Sequence, residues 1–150
     1  MHILVATDAD HVAAEVTAAL SGPAVSFTIC REGRLVSSLV AEGGVDLAVV
    51  DMQIGSMGGT AVTMALRLDE SSQRVPSVPV LMLLDRQADV HLAKRSSAEA
   101  WVIKPFDALG LKRAVKLALE GPPPPADDHI GVLEGDPGAE PAEEDATVAG

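Results

Sequence analysis

Five short apolar runs alternate with helical patterns over residues 1–120 of this chain. The runs are His2–Ala6, Val25–Cys30, Val45–Val50, Val80–Leu84 and Ala100–Ile103. Apolar runs of this length bounded by turn residues read as strands. The run Val25–Cys30 alternates, as a half-buried or edge strand does, whereas Val45–Val50 and Val80–Leu84 are apolar throughout. Continuous apolar strands joined by helical crossovers argue a parallel sheet covered on both faces.

The intervening segments carry helical spacing. Val12, Val16 and Leu20 form the stripe of a first helix, with Asp10 as its expected N-cap and Ser21-Gly22-Pro23 as its stop. A second helix is expected from Arg34 to Glu42, with Leu35, Leu39 and Val40 inward and Gly43-Gly44 as its end. A third begins at Thr60, with Val62, Leu66 and Leu68 marking its inner face. Glu70–Ser77 reads as a polar loop. A polar fourth helix is expected over Asp85–Ser97, with Val90, Leu92 and Ala93 inward. A fifth follows Asp107 as N-cap, with Leu111, Val115, Ala118 and Leu119 inward. Right-handed crossovers and the doubly wound strand order 2-1-3-4-5 place strands one and three side by side. The expectation is an α/β domain over residues 1–120, with a five-stranded parallel sheet.

Gly121 and the four prolines Pro122–Pro125 change the pattern. Residues 121–150 are rich in Gly, Pro, Ala and acids, with one apolar patch, Ile130–Leu133. Such a segment buries too little apolar area to offset its ordering entropy, so a disordered acidic tail is expected. The formal charge of −11 divides accordingly. Residues 121–150 hold eight acids and no Lys or Arg, while residues 1–120 hold fourteen acids against eleven bases, a net of −3. Neither part has the clustered positive charge of a general nucleic-acid binder. Cys30 is the sole cysteine and excludes a disulfide framework. No apolar run is long enough to cross a bilayer, and no basic, apolar and small-residue leader opens the chain. A cytoplasmic location without membrane attachment is the expectation. Aromatic content is only 2%, so the core is built from Val, Leu, Ala and Met.

Candidate chemistry collects where the strands end. Ligands of open α/β sheets bind beyond the carboxyl ends of the strands. Asp51 stands at the tip of strand three, before the glycine-rich turn Gly55-Ser56-Met57-Gly58-Gly59. Asp8 stands at the tip of the neighbouring strand one, and Lys104 at the tip of strand five. Two carboxylates at ~4 Å repel by roughly 4 kcal/mol at an effective dielectric near 20. A hard divalent cation removes that repulsion, and two carboxylates with carbonyls and waters suit Mg²⁺. Asp51 could then attack a phosphoryl donor, because carboxylates form acyl phosphates. Dinucleotide chemistry fits poorly, since Thr7-Asp8-Ala9-Asp10 takes the place of a Gly-x-Gly-x-x-Gly turn. Gly55–Gly59 lacks the Gly-Lys-Ser/Thr of a P-loop, and no closely spaced His/Cys set supports zinc.

These residues resemble the receiver (response-regulator) domain family of two-component signalling. The resemblance covers residues 1–120. It rests on Asp8 after strand one, on Asp51–Gly59 after strand three, and on Lys104-Pro105-Phe106 after strand five. It implies a flavodoxin-like fold and phosphorylation of Asp51 by a histidine kinase or a phosphotransfer protein. It also implies Mg²⁺ held by Asp8, Asp51 and the backbone carbonyl of Gln53, with Lys104 contacting the phosphoryl group. Free enzymatic turnover is not implied.

The departures from the family pattern are specific. Thr7 stands where a second acid is usual, and Gly55 where a proline is usual. Leu84-Asp85 replaces a hydroxyl residue followed by a small one. Leu84 offers no hydroxyl to a phosphoryl group, and Asp85 adds a carboxylate near it. Trp101 takes the place of the family's switch aromatic, without its hydroxyl-bearing trigger partner. The expected function is therefore an atypical single-domain response regulator acting through protein–protein contacts. The alternative is a phosphorylation-independent pseudo-receiver that serves as an interaction module. Lys94, Arg95, Lys112, Arg113 and Lys116 make helices four and five the candidate surface for a downstream partner or a homodimer.

Overall fold

Every residue of β3 (Leu47–Asp51) and β4 (Val80–Leu84) is buried, because both strands lie inside a sheet covered on its two faces. The computed structural model describes residues 1–121; the expected acidic tail, Gly121 apart, lies outside the described residues. Around the two central strands run β1 (His2–Ala6), β2 (Ser26–Cys30) and β5 (Ala100–Ile103), in the parallel order β2-β1-β3-β4-β5. The register pairs Ala6 with Val50, Asp51 with Leu83 and Leu84 with Ile103, so the C-terminal ends of the strands share one edge. The strand bounds expected for β4 and β5 match those observed.

Side chains of each strand alternate between two cores, as the period of two requires. Ile3, Val5, Val49 and Leu83 pack under α1 (Asp10–Leu20) and α5 (Ala108–Glu120). Leu4, Ala6, Val50 and Met82 pack under α2 (Val36–Ala41), α3 (Gly59–Ser71) and α4 (Val90–Arg95). Cys30 is buried in this second core and is structural there.

The helices depart from expectation in identifiable ways. Asp10 is not the N-cap of α1; Ala9 is, and its N–H is held by the Thr7 hydroxyl. The helix therefore starts one residue earlier than expected, and Asp10 sits in its first turn. The second and fourth helices are shorter than expected, each entered by a 3₁₀ turn, at Gly33–Leu35 and Gln87–Asp89. A 3₁₀ turn advances about 120° per residue against 100° in an α-helix, which rotates the inward face. Leu35 is thus exposed, and Val36 takes the buried position beside Val40. Leu68 is exposed as well, because the buried stripe of α3 runs through Gly59, Val62, Thr63 and Leu66. On α5 the stripe is Leu111, Ala114, Val115 and Ala118, which leaves Leu119 outward. Asp107 does cap α5, accepting the Gly110 N–H at 2.6 Å. The polar loop expected at 70–77 is shorter than it reads, since α3 continues to Ser71 and Val75 is buried.

Candidate functional site

The site is built from the ends of β1, β3 and β5 and the loops that follow β3 and β4. Asp51 closes β3 with its side chain almost fully buried, at 1% exposure. A carboxylate removed from water needs partners. It has three. The buried Thr7 hydroxyl donates to Oδ2 at 2.6 Å. Lys104 Nζ donates to Oδ1 at 2.7 Å, and the Gln53 N–H donates to the same oxygen at 3.0 Å. The backbone extends the sheet pairing past the strands: Met52 N–H donates to Leu83 O, and Lys104 N–H to Leu84 O. These bonds fix the bases of the Asp51 and Lys104 side chains relative to β4.

Lys104 also donates to Asp85 Oδ1 at 3.2 Å. Burial works against its ammonium charge. The hydrogen bond and charge of Asp51, and after them those of Asp85, hold the Lys104 pKa above the usual lysine value. Asp85 is shared, because Gln53 Nε2 donates to its Oδ2 at 2.7 Å. A chain of contacts thus runs Thr7–Asp51–Lys104–Asp85–Gln53 and ties together the ends of four of the five strands.

Asp8 is placed differently. It is exposed, and its Oδ2 accepts the Gly55 N–H at 3.1 Å. It neither caps α1 nor pairs with Lys104 among the described residues. Gly55 is held from its other side as well, where Gly33 N–H donates to its carbonyl. A Cβ at Gly55 would stand 2.7 Å from Asp8 Oδ2, so this resting position of the carboxylate depends on residue 55 having no side chain. Gly59 is similarly required, since a Cβ there would lie 2.7 Å from both the Asp51 carbonyl oxygen and the Met52 Cα. The N-terminus of α3 can therefore approach the end of β3.

Leu84 is fully buried in the core that also holds Ile54, Val62 and Ala93, with Trp101 packed against it. It serves packing and brings no polar atom to the site. Trp101 is half-buried, and Lys94 Nζ stands 5.9 Å from its ring centroid. The structure brings Thr7, Asp51, Lys104, Asp85 and Gln53 into direct contact, with Asp8 on the adjoining loop contact. Sequence reasoning missed the Gln53 side chain, assigned only a backbone role, and the use of the Gly55 N–H. Neither has a sequence signal, because both contacts join residues more than thirty positions apart.

The fold has known counterparts. The family model of the response regulator receiver domain matches residues 3–116. The chain belongs to the receiver-domain family of two-component signalling. A response regulatory protein of Mycobacterium tuberculosis is 32% identical over 100 residues, which cover 67% of this chain and 72% of the relative. The DNA-binding response regulator MtrA of Mycolicibacterium smegmatis is 30% identical over 119 residues, 78% of this chain and 50% of that protein. The chain thus spans about half the length of that regulator.

Among solved structures, the chemotaxis response regulator CheY4 of Vibrio cholerae superposes with a TM-score of 0.68 at 20% identity, covering 79% of this chain and 98% of that one. The receiver domain of a sensor histidine kinase of Pseudomonas aeruginosa gives a TM-score of 0.67 at 20% identity, over 79% and 97% of the two chains. That structure holds a magnesium ion in its active-site cleft. At these identities the superpositions establish the five-stranded, doubly wound fold.

Proposed function

We propose that this chain is an atypical response regulator whose Asp51 accepts a phosphoryl group from a histidine kinase or a phosphotransfer protein. The observation that carries the reading is the contact of Lys104 Nζ with Asp51 Oδ1 at 2.7 Å, at a strand edge that also presents Asp8. In the transfer, an Asp51 oxygen bonds to phosphorus as the bond to the donor's imidazole nitrogen breaks. The imidazole leaves with the electron pair, and an acyl phosphate remains on Asp51. Lys104 supplies a fixed positive charge where the phosphoryl oxygens gain negative charge. Thr7 holds Oδ2 in place through its hydroxyl.

The donor set suits Mg²⁺, being all oxygen: the Asp8 and Asp51 carboxylates and the Gln53 carbonyl. Asp8 is exposed and engaged only by one N–H among the described residues, so it can turn to a cation. Bound there, Mg²⁺ would neutralise negative charge between the donor and Asp51.

The output in this reading is a protein contact on α4 and α5, with no free enzymatic turnover and a cytoplasmic setting. Of the eleven Lys and Arg residues, six are in ion pairs: Arg31, Arg34, Arg67, Arg74, Arg86 and Lys104. The other five, Lys94, Arg95, Lys112, Arg113 and Lys116, are exposed and have no ion-pair partner among the described residues. All five lie on α4 and α5, which favours a partner with an acidic face, or a second copy that offers one.

The test is incubation with Mg²⁺ and acetyl phosphate followed by intact-mass measurement. A gain of one phosphoryl group that is lost in Asp51→Ala supports the reading. A gain that survives that substitution overturns it, as does the absence of any gain in both wild type and Asp85→Ala, whose site lacks the second carboxylate beside Lys104. A second reading, a phosphate-independent interaction module, draws on the engagement of both Asp51 oxygens and the burial of Leu84. It predicts that neither Mg²⁺ nor beryllofluoride changes the fluorescence of Trp101.

A further inference from the structure

Asp85 is placed where it can decide whether the site reacts. Its two oxygens are divided between two loops, with Oδ1 taking a bond from Lys104 and Oδ2 a bond from the Gln53 amide. Its side chain is 29% exposed and that of Lys104 21%, so the two lie together on the solvent side of the buried Asp51 carboxylate. Lys104 is the only cation in contact with Asp51 among the described residues, and Asp85 takes part of its charge. The residue before it, Leu84, is locked in the core, which fixes where the Asp85 backbone stands.

We infer that Asp85 is an internal anionic gate, which holds Lys104 and the Gln53 side chain in a closed clasp and disfavours entry of an anionic phosphoryl donor. The inference rests on Asp51 being the acceptor, as read above. Two effects act in the same direction. A donor phosphate approaching Asp51 meets a second negative charge, on the carboxylate that shares Lys104 with it. The lysine that would attract it already serves two carboxylates. The Gln53–Asp85 bond closes the space between the loops after β3 and β4, so entry also requires this bond to break. The gate selects its donor: a partner protein that docks on the loops can displace Asp85 with binding energy, whereas a small phosphodonor cannot.

The experiment measures the rate of phosphoryl incorporation from acetyl phosphate by intact mass in wild type, Asp85→Ala and Asp85→Asn, with Mg²⁺ present. Circular dichroism checks that each variant is folded. Asp85→Asn keeps the size of the side chain and an oxygen for Gln53 but removes the charge. Both variants are expected to incorporate phosphate at least about tenfold faster than wild type, the scale of one nearby like charge. Incorporation by the variants alone, with wild type inert, also supports the gate. Equal rates in all three proteins overturn the gate and leave Asp51 as acceptor. Acceleration by Asp85→Ala but not Asp85→Asn overturns the charge mechanism, leaving bulk alone. Incorporation in none of the three overturns both the gate and the acceptor reading.

Discussion

Thr7 donates its hydroxyl proton to Asp51 Oδ2 over 2.6 Å, and both side chains are closed off from solvent. A neutral hydroxyl here stabilises a buried carboxylate that a second acid would repel. Replacement by the near-isosteric valine leaves that oxygen without a donor. Thr7→Val is expected to lose about 1–3 kcal/mol of stability, the cost of an unsatisfied buried acceptor. Urea unfolding followed by far-UV circular dichroism measures it, and an unchanged midpoint would count against the bond.

Lys104 is the counter-charge of the same carboxylate. Lys104→Met keeps the apolar stem but removes the cation, leaving Asp51 with uncompensated charge in the interior. Removing one partner of a buried pair is strongly destabilising, and here the lysine end is partly exposed, so a loss of about 2–3 kcal/mol is expected. In the double variant Lys104→Met, Asp51→Asn most of that loss should be recovered. Urea midpoints of the four proteins in the cycle decide this.

Gly55 trades rigidity for a donor. A proline at this position has no N–H, so Gly55→Pro removes the bond that holds Asp8 on the loop. Its ring carbons would also crowd Asp8 Oδ2. Freed from the loop, Asp8 is expected to bind Mg²⁺ several-fold more tightly, matching the loss of one competing hydrogen bond. Titration of Trp101 fluorescence with MgCl₂, checked by calorimetry, gives both affinities.

Away from the site, Arg67 joins α3 to the turns before β4 and β5. It pairs with Glu70 at 3.0 Å and with Glu99, and donates to the carbonyls of Val78 and Ser97. Arg67→Met should cost about 2–3 kcal/mol in urea unfolding, since charged hydrogen bonds and a partly buried ion pair are lost together.

The pH dependence of Glu70 follows from its surroundings. The Ser77 hydroxyl, opposed by burial and aided by the Arg67 bond and charge, holds its carboxyl below the usual glutamate range. A group with a depressed folded pKa adds stability that is complete above the unfolded value and lost as pH falls through the folded one. Glu70→Gln should therefore be less stable than wild type at neutral pH, with the gap closing as pH drops below 4.5. Thermal melts from pH 7 to 3 measure this; a gap that persists at the acid end would contradict it.

The central strands are legible in the sequence because burial on both faces leaves no position for a polar residue. β4 is bounded to the residue for that reason, whereas the edge strand β5, only partly buried beyond Ala100, is bounded by the charged residues on either side of it, Glu99 and Lys104. The α5 cap at Asp107 was legible because capping is local. Leu35, Leu68 and Leu119 read as inward from the apolar spacing, yet all three are exposed. Helical phase depends on where a helix begins: the 3₁₀ entry ahead of α2 shifts it at Leu35, while Leu68 and Leu119 lie beside buried stripes that the apolar pattern alone does not single out.

By itself the sequence determined the order of elements, the parallel sheet and the presence of Asp8, Asp51 and Lys104 at one edge. Strand tips follow from chain order once the crossovers are right-handed. Tertiary structure alone decided how those groups are used. It set Thr7 on one Asp51 oxygen and Lys104 on the other, turned Asp8 to the Gly55 N–H, and stretched Asp85 between Lys104 and Gln53. The reason is reach: each of these bonds joins loops far apart in sequence, and its existence depends on sub-ångström placement that no residue pattern encodes.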